Sequence, residues 1–253
     1  MSNIPWPDLP WETIWSRDLV IASIFAMAGA AIRGLTGFGA NLIWAPALLI
    51  LYGPAEAVAI MGITGILSSF QIFVPAMSKV DWREIRIIIV SAFIMAPMGV
   101  WTLLYLEPEM FRRVMGATIL LMAGLLMIGW RYEGTRGAVS KIITGGLSGY
   151  LAGFAGIGGP ICALYFMSAP GTAPVQRANN AVSVSLLVPV PVLSLGLSGL
   201  IGMDTLIKAI ILVAPYVIGQ WLGILLFGVM PQQTFRRIVL GLLAAIGVGS
   251  MVF

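Results

Sequence analysis

Histidine is absent from the 253 residues, and cysteine occurs once, as Cys162. The missing histidine removes the commonest metal ligand, the usual general base and the side chain that normally titrates near neutral pH. A single thiol excludes an internal disulfide and a two-thiol electron relay. Charge is scarce as well: 9% of residues are charged against 59% hydrophobic, too little polar surface for a soluble globule of this size. The net charge of +4 is spread over short loops, so no basic patch exists for nucleic acid. Without a buried carboxylate pair, intramembrane proteolysis and redox catalysis lack their groups. No enzyme activity and no cofactor are expected.

What remains is apolar sequence in long runs. Several exceed the ~20 residues that cross a bilayer and follow one another with short polar links, which predicts an all-α polytopic membrane protein embedded in a lipid bilayer. Residues 1–18 carry three prolines and three acids but no basic start or apolar core, so they do not read as a signal peptide and are expected to be retained. Trp6, Trp11 and Trp15 there suit a short interfacial segment at headgroup level.

Two glycine-rich breaks interrupt the runs, Arg33-Gly-Leu-Thr-Gly-Phe-Gly-Ala-Asn41 and Gly153-Phe-Ala-Gly-Ile-Gly-Gly-Pro160. Clustered glycines make continuous helix unlikely, and unwound backbone at membrane depth survives only inside protein or along a polar cavity. Aligned at Gly34 and Gly153, the two motifs match, and Pro108-x-x-Phe-Arg-Arg returns as Pro231-x-x-x-Phe-Arg-Arg, with Asp81 and Asp204 upstream. The pattern predicts two homologous repeats of 4–5 apolar segments each, 19–130 and 142–253, joined by a cytoplasmic link over 131–141. The glycine-rich broken helices or hairpins of the two repeats are expected to meet near the midplane. Gly145 and Gly149 suit close helix packing, and Pro97 is expected to kink its span.

Each broken run reads either as one interrupted span or as a hairpin of two short segments. The first makes the halves parallel; the second inverts them and puts Lys79, Arg83, Arg86, Arg131, Arg136, Lys141, Arg177, Arg236 and Arg237 on one side. The positive-inside rule slightly favours inversion and makes loops 79–86 and 131–141 cytoplasmic in both.

Arg33 is the basic residue set inside an apolar run, and none of the ten acids is placed mid-span to pair with it. A charge at depth faces a cavity or a partner, so a mobile anion is a candidate partner; snorkelling, or bonding to carbonyls freed at the break, is the bland alternative. Helices starting near Asn41 and Pro160 would aim unpaired N–H groups and positive dipole ends at the same point. The candidate substrate-binding set is Arg33, Thr36, Gly37, Gly39, Asn41, Gln71, Gly156, Gly158, Gly159, Asn179, Asn180 and Gln220, the amides serving either as ligand donors or as interhelical bonds. Arg177, at the start of a span, reads as a snorkelling end residue or a ligand contact.

The paired motifs Gly34-Leu-Thr-Gly-Phe-Gly and Gly153-Phe-Ala-Gly-Ile-Gly-Gly-Pro160, the link Asp81-Trp82 and the duplicated layout resemble the TauE/SafE sulfite exporter family, from about Leu19 onward. The resemblance implies a multi-pass transporter of the bacterial cell inner membrane carrying sulfite, organosulfonates or related sulfur-containing anions. Gly37-Phe-Gly39-Ala-Asn41 departs from that family's usual Gly-x-Gly-Gly-Gly, which bears on the cargo more than on its negative charge. A non-transporting scaffold or subunit of a larger complex is the competing class, in which the paired breaks have no purpose; a homo-oligomer stays open.

Overall fold

A computed structural model of the protein describes residues 16–128, 130 and 132–226. The three N-terminal tryptophans, Arg131 and the second Phe-Arg-Arg motif lie outside the described residues. Among those described, ten helices and no strands occur: α1 (Arg17–Thr36), α2 (Ala40–Tyr52), α3 (Pro54–Met77), α4 (Trp82–Tyr105), α5 (Pro108–Met127), α6 (Ala138–Ala155), α7 (Gly159–Met167), α8 (Ala173–Leu187), α9 (Pro189–Leu197) and α10 (Met203–Leu226). Five stretches are long and apolar enough to cross a membrane: Arg17–Leu35, Pro54–Met77, Trp82–Tyr105, Ala173–Leu197 and Met203–Leu226. The fourth joins α8 to α9, where Pro189 and Pro191 cannot donate to the preceding turn. Pro97 by contrast sits within α4, which runs on from Trp82 to Tyr105.

The breaks fall where the glycines are. Gly37 ends α1 at φ 84°, donating its N–H to the Arg33 carbonyl at 2.7 Å, and Gly156 ends α6 at φ 73°, donating to the Ala152 carbonyl at 3.0 Å. Both are left-handed caps that a side chain would strain. α2 and α7 begin three residues later, at Ala40 and Gly159.

After each break the chain doubles back. Arg136, just before α6, donates from Nη2 to the carbonyl of Tyr165, near the end of α7, at 2.7 Å. A straight interrupted helix would hold these residues a membrane thickness apart. Two long-range contacts agree: Lys208 pairs with Glu56 at 2.8 Å, and the Asp81 N–H donates to Asn179 Oδ1 at 2.7 Å. The interrupted-span reading puts the members of each pair on opposite sides of the bilayer, the hairpin reading on the same side. These pairs favour the hairpin reading.

Packing rests on small residues. The most extensive helix contacts are α4 with α6 and α1 with α10. A Cβ at Gly145, Gly149 or Gly153 of α6 would run into α4 backbone at Ile88, Ala92 or Ala96. Gly99 of α4 faces the Tyr150 carbonyl of α6 in the same way. In the other pair Gly34 of α1 meets the Gln220 carbonyl, while Gly219 and Gly223 of α10 meet those of Met27 and Ala31. Such backbone approach drives helix association where lipid is as apolar as the side chains. Trp44, Leu48, Ile60 and Leu212 are among the fully buried side chains of the largest apolar cluster.

Candidate functional site

The two hairpin tips meet. Asn41, in the first turn of α2, donates from Nδ2 to the Gly156 carbonyl at 2.6 Å. Between the tips lies a cavity of about 50 Å³, against the ~10–15 Å³ that one water requires. Its lining includes Arg33, Gly39, Asn41, Gly156, Gly158 and Gly159, six of the residues expected from the sequence, together with Met61, Pro160, Val184 and Tyr216.

Arg33 is the one charged residue of that lining. It sits in the last turn of α1, where the helix dipole favours a cation, and only 6% of it is exposed. Nη1 donates to the Tyr216 hydroxyl at 3.1 Å and Nη2 to Ser69 Oγ at 3.3 Å. Neither partner is charged, and among the described residues no carboxylate forms an ion pair with Arg33. The guanidinium is buried and does not snorkel to an interface, and among the described residues its bonds go to side-chain hydroxyls and not to the carbonyls of the break. A buried charge without a counter-charge is costly, and Arg33 presents that uncancelled charge to the cavity.

The helix starts add to the same field. α2 and α7 both begin at the cavity wall, and neither Gly39 nor Gly158 supplies a side-chain cap. Their first N–H groups carry partial positive charge. One cation and two positive helix ends thus surround a space whose other lining side chains are apolar apart from the Asn41 amide and the Tyr216 hydroxyl. That arrangement suits a negatively charged ligand.

The remaining expected residues are placed elsewhere. Gln220 donates to Gln71 Oε1 at 2.7 Å and to the Ser68 carbonyl at 3.3 Å, so these two amides bond α10 to α3. Asn179 holds the Asp81 N–H. Asn180 donates to the Gly37 carbonyl at 3.4 Å, so it and Gly37 form the rear of the first tip, against which the side chain of Arg177 lies. Arg177 Nη2 donates to the Gly34 carbonyl at 2.7 Å, binding the tip where the sequence offered a snorkel or a ligand contact. Thr36 closes α1, and its side chain lies outside what is described. Tyr216 and Ser69, the direct partners of Arg33, carry no signal in the sequence: a tyrosine and a serine in apolar spans look like any packed residue.

A family model, sulfite exporter TauE/SafE, matches residues 21–250, both hairpins and the whole cavity included. The chain belongs to the TauE/SafE sulfite exporter family. No curated protein and no solved structure matches it. TauE/SafE proteins are transporters and not enzymes. As a TauE/SafE protein with five membrane-length apolar stretches, the chain is a multi-pass membrane protein that handles small anions.

Proposed function

We propose that the chain exports a small sulfur oxyanion, sulfite or a compact organosulfonate, across the bacterial inner membrane, binding it between the hairpin tips. The observation that carries this reading is Arg33: a buried guanidinium, without a carboxylate partner among the described residues, facing a cavity at two uncapped helix starts. Arg33, Asn41 and the N–H groups following Gly39 and Gly158 form the binding set. Gln71, Gln220, Asn179 and Asn180 act behind it, fixing the helices that carry the tips. The chain divides into two inverted repeats, 19–130 and 142–253. This is supported by the reciprocal packing, in which α1 of the first half rests on α10 of the second and α6 of the second on α4 of the first.

The basic side, with Lys79, Arg83, Arg86, Arg136 and Lys141, is cytoplasmic. On a Cys162→Ala background, Ser78→Cys and Thr135→Cys should react with impermeant maleimide only after the membrane is opened. Glu107→Cys and Ser198→Cys should react in intact spheroplasts. The opposite pattern would reverse the orientation.

The driving force follows from the lining, which holds no Asp or Glu. Without a carboxylate or histidine in the lining, transport is not expected to run by proton exchange through a titrating side chain. Moving one negative charge out of a negative interior is favourable by ~2.3 kcal/mol per 100 mV, which suffices for export down the electrical gradient. Sulfite-loaded proteoliposomes, with the potential set by potassium and valinomycin at equal pH and without sodium, test this directly. Efflux accelerates as the interior becomes more negative. Indifference to voltage, with an absolute need for a pH or sodium gradient, would refute electrogenic export.

A further inference from the structure

Among the described residues the hydroxyl of Tyr216 accepts one hydrogen bond and donates none. Arg33 Nη1 donates to it at 3.1 Å, but no acceptor for its own proton exists among the described residues, although the residue is 1% exposed. Buried phenolic O–H groups ordinarily find a partner. Tyr216 also lines the cavity, and its ring is fixed by Trp44, which is fully buried at 5.3 Å between centroids. Ser69, the other hydroxyl on Arg33, is the useful contrast. Its proton goes to the Gly65 carbonyl at 2.5 Å, and it is not part of the cavity wall.

We infer that Tyr216 is a second anion-binding group, whose O–H, oriented by Arg33, donates to an oxygen of the cargo held by that guanidinium. The inference rests on the anion site proposed above. Two donors of different kind, side by side, recognise a compact oxyanion by two of its oxygens, where a guanidinium alone would take any small anion by charge. Ser69 only positions Arg33; Tyr216 positions it and touches the cargo.

The two roles separate in the KM for sulfite efflux from proteoliposomes, measured under one fixed membrane potential. Tyr216→Phe keeps the ring against Trp44 and removes only the donor, so KM should rise about tenfold, as for loss of a hydrogen bond to a charged ligand. Ser69→Ala removes an Arg33 partner without a ligand contact and should change KM less than about threefold, as a neutral, merely orienting bond. Equal effects of the two, or a smaller effect of Tyr216→Phe, would make Tyr216 a positioning residue and overturn the inference. Should Tyr216→Phe not reconstitute, Tyr216→Gln, which retains a donor, is compared with Tyr216→Leu, which does not; equal KM values overturn it likewise. Arg33→Ala separates the two levels. If Arg33→Ala alone raises KM, the anion site stands without Tyr216; if Arg33→Ala leaves KM unchanged, the site reading itself is wrong and the Tyr216 inference falls with it.

Discussion

Arg33→Ala should yield a folded protein that holds sulfite far more weakly. The variant loses one charge-assisted hydrogen bond or more to the cargo, at ~1.5–3 kcal/mol each, or about 10- to 100-fold in affinity. Folding stability should move the other way or not at all. Among the described residues the buried charge has two neutral hydrogen-bond partners, Tyr216 and Ser69, and no carboxylate, and removing such a charge relieves its desolvation cost. Loss of transport with unchanged or higher thermal stability in detergent is therefore the expected signature. Arg33→Lys should recover part of the affinity, because the charge remains while the planar fork that reaches both hydroxyls and the ligand is lost. An alanine variant that folds and exports sulfite at the normal rate would make Arg33 a structural residue and remove the site.

The second large effect is on assembly. Gly153→Val drives a branched side chain into the carbonyl of Ala96 and the N–H of Val100 on α4, and backbone cannot rotate aside as a flexible side chain can. Overpacking of this kind costs ~1–3 kcal/mol or more, and here it also shifts α6, whose end carries the second hairpin tip. The variant should lose both thermal stability and sulfite efflux. Gly124→Ala is the control: a Cβ there meets nothing within 4 Å, and alanine is the better helix former by ~1 kcal/mol. Gly124→Ala should melt at or above the native temperature; if Gly153→Val does so too, the close approach of α6 to α4 is wrong.

Arg33 and Gly153 are both legible in the amino-acid sequence, for different reasons. Arg33 stands out by its charge, and the breaks stand out because few residues other than glycine accept the left-handed backbone found at Gly37 and Gly156. The glycines of α6 announce packing by their spacing of four. The direction of the chain after each break is not legible, since it is set by contacts such as Glu56 with Lys208 that join residues 152 positions apart. Nor can the sequence tell which amides face the cavity: Gln71 and Gln220 satisfy each other across two helices, and an amide bonded to its neighbour reads the same in a sequence as one awaiting a ligand. Tyr216 is invisible for the converse reason, being an aromatic residue among apolar ones whose only distinguishing feature is the oxygen at its tip.

The seating of α1 on α10 also has a consequence in time. Gly34 and its partners at Gln220 and Gly223 lie nearly at opposite ends of the described chain, so the first hairpin leaves the ribosome long before the helix that receives it. At ~5–20 residues per second, the delay is on the order of 10–40 s. During that interval the glycine face of α1 has no native partner, and the guanidinium of Arg33 has lipid, water or the insertion machinery for company in place of Tyr216. A nascent chain stalled before residue 203 would carry an inserted but unclosed hairpin, a ready substrate for membrane quality-control proteases, and release of α10 would be the event that ends that exposure.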